Sequence, residues 1–349
     1  PTPPPPPRPL RTDTPISHLP HTPQHQTARE ELLATFVNDI AFIIGTTLTY
    51  STPLIFAAVG GVITERSGII NIGLEGMMYF GAFVGAAVAY FSGDPWLGFF
   101  SAGLAGASLG LLHAIATVSF SAEQIVSGIA MNFLGVGFAL FISRLVFDGA
   151  TQTLTVPNKI PLPFDFLFGE GKLFASSGFM DLVFNRFATV YLAFILVFVV
   201  WFVLYKTSLG MRLRAVGEHP EAADSLGISV FKVRYGAVIT SGFLAGLGGA
   251  AMSIAVVSRF SNTLISGHGF IALAAMIFGK WKPQGALLAC LIFGGAKGLE
   301  IFMGAKGVPI PSGLLATLPY VLTIVILVGW VGRSQPPASI GKIFDKGEN

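Results

Sequence analysis

Charge is what this chain lacks most. Only 11% of its 349 residues are Asp, Glu, Lys or Arg, and 52% are hydrophobic. A soluble globular domain carries about 25% charged residues, so an ordinary water-soluble fold is excluded. Cysteine is almost absent. The single Cys290 rules out an internal disulfide and lies in an apolar run, which argues against a metal site. The histidines do not supply one: His18, His21 and His25 fall in the N-terminal stretch, and His113, His219 and His268 fall in three separate segments, without the tight spacing of metal ligands. No G-x-x-x-x-G-K-[ST] phosphate loop occurs, so the chain has no such site of its own to hydrolyse nucleotide. An H-E-x-x-H pair and a convincing acid/base pair are missing too, which disfavours an intramembrane enzyme.

What the chain has instead is uninterrupted apolar length. A membrane-spanning helix needs about 20 mostly apolar residues. Reading between charges gives nine runs: 40–64, 76–93, 95–122, 124–143, 187–205, 235–258, 260–279, 283–296 and 307–332. The run 283–296 is short and must extend past Lys297 or dip only part way. Because the runs are continuously apolar and do not alternate, a β-barrel is disfavoured. The expected fold is all-α: a polytopic transmembrane bundle of about nine spans in a lipid bilayer. Gly81/Gly85, Gly106/Gly110, Gly242/Gly246 and Gly294/Gly298 have the GxxxG spacing that lets helix backbones approach closely. "MYFG" at 78–81 and "MIFG" at 276–279, each followed by a proline, hint at the internal repeats on which many transporters are built.

Three regions follow. Residues 1–30 open with "PTPPPPPRPL", show no apolar periodicity and should be a disordered, proline-rich tail. They contain no apolar core of a secretory signal; the proline run is an SH3-type ligand or, more simply, a dispensable extension. Residues 31–334 form the transmembrane domain, and 335–349 a cytoplasmic tail. Orientation comes from Lys and Arg near helix ends. The 206–234 loop holds Lys206, Arg212, Arg214, Lys232 and Arg234, which makes it cytoplasmic, whereas the 144–186 loop balances four basic against four acidic residues and should lie outside. The net charge of +3 is thus an orientation signal and not the footprint of nucleic-acid binding. Counting spans puts the N-terminus outside and the C-terminus inside.

Two stretches break the pattern. In the cytoplasmic loop, Pro220 suits a first helical position, Glu221 the helix N-terminus and Gly227 a left-handed residue after its end. A helix of about two turns, 220–226, is marginal in water by itself. It needs a receiving surface, for which Ala222, Ala223 and Leu226 are available, or else it lies on lipid headgroups. The second stretch, "TERSGIINIGLEGMM" at 64–78, sets Glu65, Arg66, Asn71 and Glu75 among Gly68, Gly73 and Gly76. Ionisable groups at membrane depth are functional candidates, so Glu75 with Glu65 and Arg66 would suit the proton relay of a stand-alone secondary transporter. Glu65 and Arg66 more simply mark a helix end at the interface.

Four ordered motifs, "ERSGIINIGLEGMM" (65–78), "EQIVSGIAMNFL" (123–134), "GMRLRAVGEHPEAADSLGI" (210–228) and "GFIALAAMIFGKWKPQGALL" (269–288), closely resemble the permease subunits of bacterial nucleoside-type ABC importers, within the group that also holds ribose and branched-chain amino-acid permeases. The likeness runs from about residue 32 to 333. The proline tail lies outside the pattern, and Ala122 and His268 depart from it beside their motifs. The resemblance implies half of a heterodimeric pore, paired with a second permease, a cytoplasmic ABC ATPase carrying ATP and Mg, and an extracytoplasmic substrate-binding lipoprotein. This chain would itself bind no cofactor. The resemblance implies a translocation pathway beside Asn71, Gly73, Glu75, Asn132 and His268. It also implies ATPase coupling through Gly217, Glu218, His219, Pro220, Glu221, Ala223, Asp224, Leu226 and Gly227. Ribose or another simple sugar is the alternative cargo, and a proton-coupled secondary transporter the alternative class.

Overall fold

The computed structural model describes residues 2, 24–168, 178–315, 317, 320, 321, 325 and 335–344. Among them every regular element is a helix. In chain order these are α1 (Gln24–Arg66), α2 (Leu74–Ser92), α3 (Pro95–Ala114), α4 (Gln124–Val146), α5 (Pro163–Phe168), α6 (Phe179–Phe184), α7 (Ala188–Lys206), α8 (Ser208–Glu218), α9 (Pro220–Ser225), α10 (Val230–Ala250), α11 (His268–Phe278), α12 (Pro283–Ala305) and α13 (Ser312–Leu315). α3 and α10 each run on into a π-helical turn, Ile115–Ser119 and Ala251–Val256. Most of the proline tail lies outside the described residues, but its last part, from Gln24, is the start of α1.

Among the described residues, seven helices are long and apolar enough to cross a membrane. They account for seven of the nine expected runs, and α12 does continue past Lys297, to Ala305. The run 260–279 is corrected. Only His268–Phe278 is helical there, 11 residues or roughly 16 Å at 1.5 Å per residue, about half a bilayer. The preceding stretch cannot extend the helix because Ser258, Ser266 and Gly267 take positive φ. Its backbone is held instead by the outer loop: Thr153 N–H donates to Phe260 O (3.1 Å) and Val156 N–H to Ser258 O (2.8 Å). Residues 257–278 therefore cross as a loop followed by a half-helix. Half of the ninth run, 307–332, lies outside the described residues.

The two ends of the bundle are told apart by contacts. α12 runs antiparallel to α1: Arg66 Nε–H donates to Trp281 O (2.9 Å) at one end, and Lys306 pairs with Asp39 (2.8 Å) at the other. The first end gathers Lys206, Arg212, Arg214, Lys232, Lys280 and Lys282 and is the cytoplasmic one by the positive-inside rule. Residues 335–344 return to this same end, where Ser339 N–H donates to Gly217 O (3.0 Å) and Gly341 N–H to Gly68 O (3.0 Å).

α10 is the buried axis, packed on α1, α2 and α3. Lipid offers helices no hydrophobic reason to associate, so backbone proximity and dispersion must supply it. The glycine pairs do this. A Cβ on Gly81 would lie 2.5 Å from Gly246 Cα, one on Gly106 2.1 Å from Gly242 O, and one on Gly294 2.8 Å from Ser51 Cβ. Glycine on both sides brings α2, α3 and α10 into one seam, and Gly294 with Gly298 seats α12 on α1.

Candidate functional site

Between α1 and α2 the chain is unwound over 67–73 and runs into the bundle. Asn71 meets Ser241, eleven residues into α10, and Gly76 meets Asn132, eight residues into α4; at 1.5 Å per residue both contacts lie roughly 12–16 Å inside the cytoplasmic ends. Irregular backbone is tolerated at that depth only when protein satisfies its polar groups, and here side chains of three helices do so. Gln124 Oε1 accepts the Ile70 N–H (2.7 Å), and the Ile70 carbonyl lies 3.0 Å from His113 Nε2. A carbonyl can only accept, so Nε2 carries the proton and Nδ1 takes the Ser127 hydroxyl at 2.8 Å. Asn132 is a two-handed staple: its Nδ2 donates to Ile72 O (3.1 Å) and its Oδ1 accepts the Gly76 N–H (2.8 Å). Asn71, fully buried, accepts from Gly73 N–H (3.1 Å) and donates to Ser241 Oγ (3.1 Å). Gly73 and Gly76 let this happen, since a Cβ on them would fall 2.9 Å from Met131 Cβ and 2.4 Å from Met131 O.

Glu75, on the first turn of α2, reaches the N-terminus of the half-helix α11. Its two oxygens accept the Gly267 and Gly269 N–H groups, each at 2.6 Å. Two backbone donors on one carboxylate is the arrangement of an ionised helix cap, placed where the helix dipole favours negative charge. Gly269 is needed at this junction because a Cβ there would sit 2.5 Å from Glu75 Cα. Between Gly267 and Gly269, His268 lines a pocket of about 80 Å³ with Tyr50, Leu54, Phe293, Lys297 and Glu300. Lys297 Nζ and Glu300 Oε1 are 2.8 Å apart and both are partly buried. An ion pair well inside a spanning helix marks a candidate solute pathway.

At the cytoplasmic end, Glu65 and Arg66 do more than mark a helix end. Glu65 is buried and its carboxylate accepts from the Trp281 indole, and Arg66 holds the carbonyl of the same residue. Together they clasp the turn between α11 and α12, where Lys280 and Trp281 both have positive φ.

The loop helix forms as Pro220 and Gly227 require, the former at its N-terminus and the latter at φ 82°. Its faces differ from expectation. Ala223, expected to be available to a partner, is 2% exposed and packs with Val216, Val230 and Phe344. The outward face carries Glu221, Ala222 and Leu226, and Leu226 is 81% exposed. Glu218 and His219 are exposed just before it, and Asp224 is half-buried. Gly217 is pressed on the end of α1, where a Cβ would meet Arg66 O at 2.1 Å.

The structure thus brings Asn71, Gly73, Glu75 and Asn132 to one place, with His268 on the first turn of α11 that Glu75 caps. Residues 217–227 lie together at the cytoplasmic end. Sequence reading missed His113, Gln124, Ser127, Ser241, Lys297 and Glu300. A signal existed for part of this set: Gln124, Ser127, Gly128, Met131, Asn132 and Gly135 recur at three- and four-residue spacing, one face of α4. Lys297 served there only as the limit of an apolar run, and Glu300 was not singled out.

Seven membrane-length helices, an unwound segment at membrane depth and a half-helix capped against it define a membrane transport protein. The sequence profile of the "Branched-chain amino acid transport system / permease component" family matches residues 43–330, and the chain belongs to that family. It is similar to the guanosine ABC transporter permease protein NupQ of Bacillus subtilis, 43% identical over 324 residues, 89% of this chain and 99% of that one. It is 39% identical to the nucleoside ABC transporter permease protein NupC of Lactococcus lactis, covering 89% of this chain and 98% of that one. The guanosine ABC transporter permease protein NupP, also of B. subtilis, is 26% identical, covering 88% of this chain and 86% of that one.

Proposed function

We propose that this chain is the permease subunit of an ATP-driven importer that carries nucleosides. The observation that supports it most is 43% identity across 99% of a guanosine permease. The chain forms half of the pathway. NupQ and NupP, two related permeases of one organism, both resemble it, which supports pairing with a second permease. A cytoplasmic ABC ATPase supplies the energy and holds ATP and Mg, and an extracytoplasmic lipoprotein delivers the solute. In this reading Asn71, Gly73 and Asn132 fix the unwound segment, Glu75 holds α11 against it, and His268 with Lys297 and Glu300 offers polar groups to the passing solute. The exposed face of α9 docks on the ATPase. Competition uptake into cells with the whole importer tests the cargo. Unlabelled purine and pyrimidine nucleosides should suppress labelled nucleoside uptake while ribose does not; suppression by ribose alone would overturn the reading. Uptake that stops with an uncoupler at clamped ATP would instead favour a proton-coupled transporter.

A further inference from the structure

We infer that the groove between α7, α8 and α10 at the cytoplasmic end binds one anionic phospholipid. The groove measures about 480 Å³. Its wall is apolar, from Val200, Leu204, Leu213 and Ala237, and its lining includes two cations, Arg212 and Lys232, and no acidic residue. The direction of the groove matches a lipid. Lys232 stands on the first turn of α10, at headgroup level, and Thr240 lines the groove eight residues deeper, roughly 12 Å along the helix. A headgroup phosphate therefore meets Arg212 and Lys232 while an acyl chain follows the apolar wall inward.

The surroundings fit the same occupant. Leu209 on α8, one of the lining residues, is an exposed large apolar side chain, and Phe198 and Phe202 on other faces of α7 are exposed too, as a bilayer-facing helix requires. α10 is notched here by Gly236, where an added Cβ would meet nothing within 4 Å. Basic residues near the cytoplasmic leaflet attract anionic lipid, and an apolar slot continuous with them selects a lipid over a free anion. A lipid seated there wedges α8, the helix leading into α9, against the ends of α7 and α10.

The test uses the full chain with its co-purified partners, reconstituted in vesicles of phosphatidylcholine with a minor share of phosphatidylglycerol, and lipid retained on the re-extracted complex is quantified by mass spectrometry. Wild type should retain phosphatidylglycerol above its share. Arg212→Gln or Lys232→Gln should each lower retention about fivefold, the scale of one cation at an anionic surface, and the double variant about twenty-five-fold. Gly236→Leu fills the slot from a position with free space, so it should abolish enrichment while leaving thermal stability unchanged. Equal retention of both lipids in wild type, or full enrichment in Gly236→Leu, would overturn the assignment. So would efficient cross-linking of Thr240→Cys to a partner chain, since protein would then fill the groove.

Discussion

Replacing Glu75 by Gln separates a structural cap from a proton site. The carboxylate holds two backbone N–H groups at 2.6 Å each, and hydrogen bonds to a charged group contribute about 1.5–3 kcal/mol apiece. Gln has one acceptor oxygen; its amide nitrogen would face the second N–H donor to donor. One charge-assisted bond is lost, the other becomes neutral, and the favourable charge at the α11 dipole disappears. Glu75→Gln should then destabilise by about 2–4 kcal/mol and Glu75→Ala, which loses both bonds, by about 3–6 kcal/mol. Taking roughly 2 °C per kcal/mol for a large domain, the melting temperature should fall by about 4–8 °C for Gln and more for Ala. Thermal unfolding of the detergent-solubilised permease, read by intrinsic tryptophan fluorescence, gives the order wild type, Gln, Ala. A proton carrier predicts another pattern: Gln imitates the protonated side chain, stays as stable as wild type and removes any dependence of uptake on the proton gradient. A Gln variant melting within about 1 °C of wild type would refute the cap.

Three further outcomes follow from the same geometry. Asn132→Leu strands the Gly76 N–H and the Ile72 carbonyl, about 1–3 kcal/mol each, so melting should fall although Leu is the more apolar residue; unchanged melting would mean that other groups satisfy residues 72–76. Leu226→Glu changes a side chain that is 81% exposed; the permease should insert and melt normally yet lose its ATPase on purification, and full co-purification would exclude α9 as the docking element. Phe344→Ala opens a void beside Ala223, Val216 and Val230, and truncating a buried Phe costs about 3–5 kcal/mol; limited proteolysis should then cut the 218–229 loop faster, and an unchanged rate would show that the tail does not support it.

What could be read from the sequence depended on whether a signal was local. Apolar length is local, and seven of the nine runs became long helices. GxxxG spacing is local as well, and Gly81, Gly106, Gly242 and Gly246 meet at one seam. Pro220 and Gly227 fixed the short helix through φ alone. The run 260–279 misled because its apolar content is real: Phe260, Leu264 and Ile265 are buried, but they pack as loop residues on backbone with positive φ, and hydropathy does not register that. Ala223 misled because a two-turn helix gives no direction to its faces until Phe344, over a hundred residues away, covers one of them. His113 stayed invisible for a similar reason, since its partners Ile70 and Ser127 come from two other segments.

These two kinds of contact divide the protein into a fixed part and a part able to change. The glycine seam of α2, α3 and α10 is steric: backbone atoms already touch, and dense packing admits few alternative arrangements. The unwound segment and α11 are fastened by hydrogen bonds to Asn132, His113, Gln124, Asn71 and Glu75, and such bonds can exchange one partner for another without leaving a polar group bare. A transport protein needs at least two arrangements of nearly equal free energy, so polar fastening at membrane depth puts the adaptable contacts beside the proposed path. The connection to the cytoplasm is short. Gly217, three residues before α9, lies against Arg66 O, and residues 335–344 bond Gly217 on one side and Gly68 on the other. A displacement of α9 would thus reach the start of the unwound segment through Gly217 and the first turn of α10 through Val230. The loop helix, the tail and the break in the membrane are in this sense contiguous, joined to one another and to the cytoplasmic end of α10.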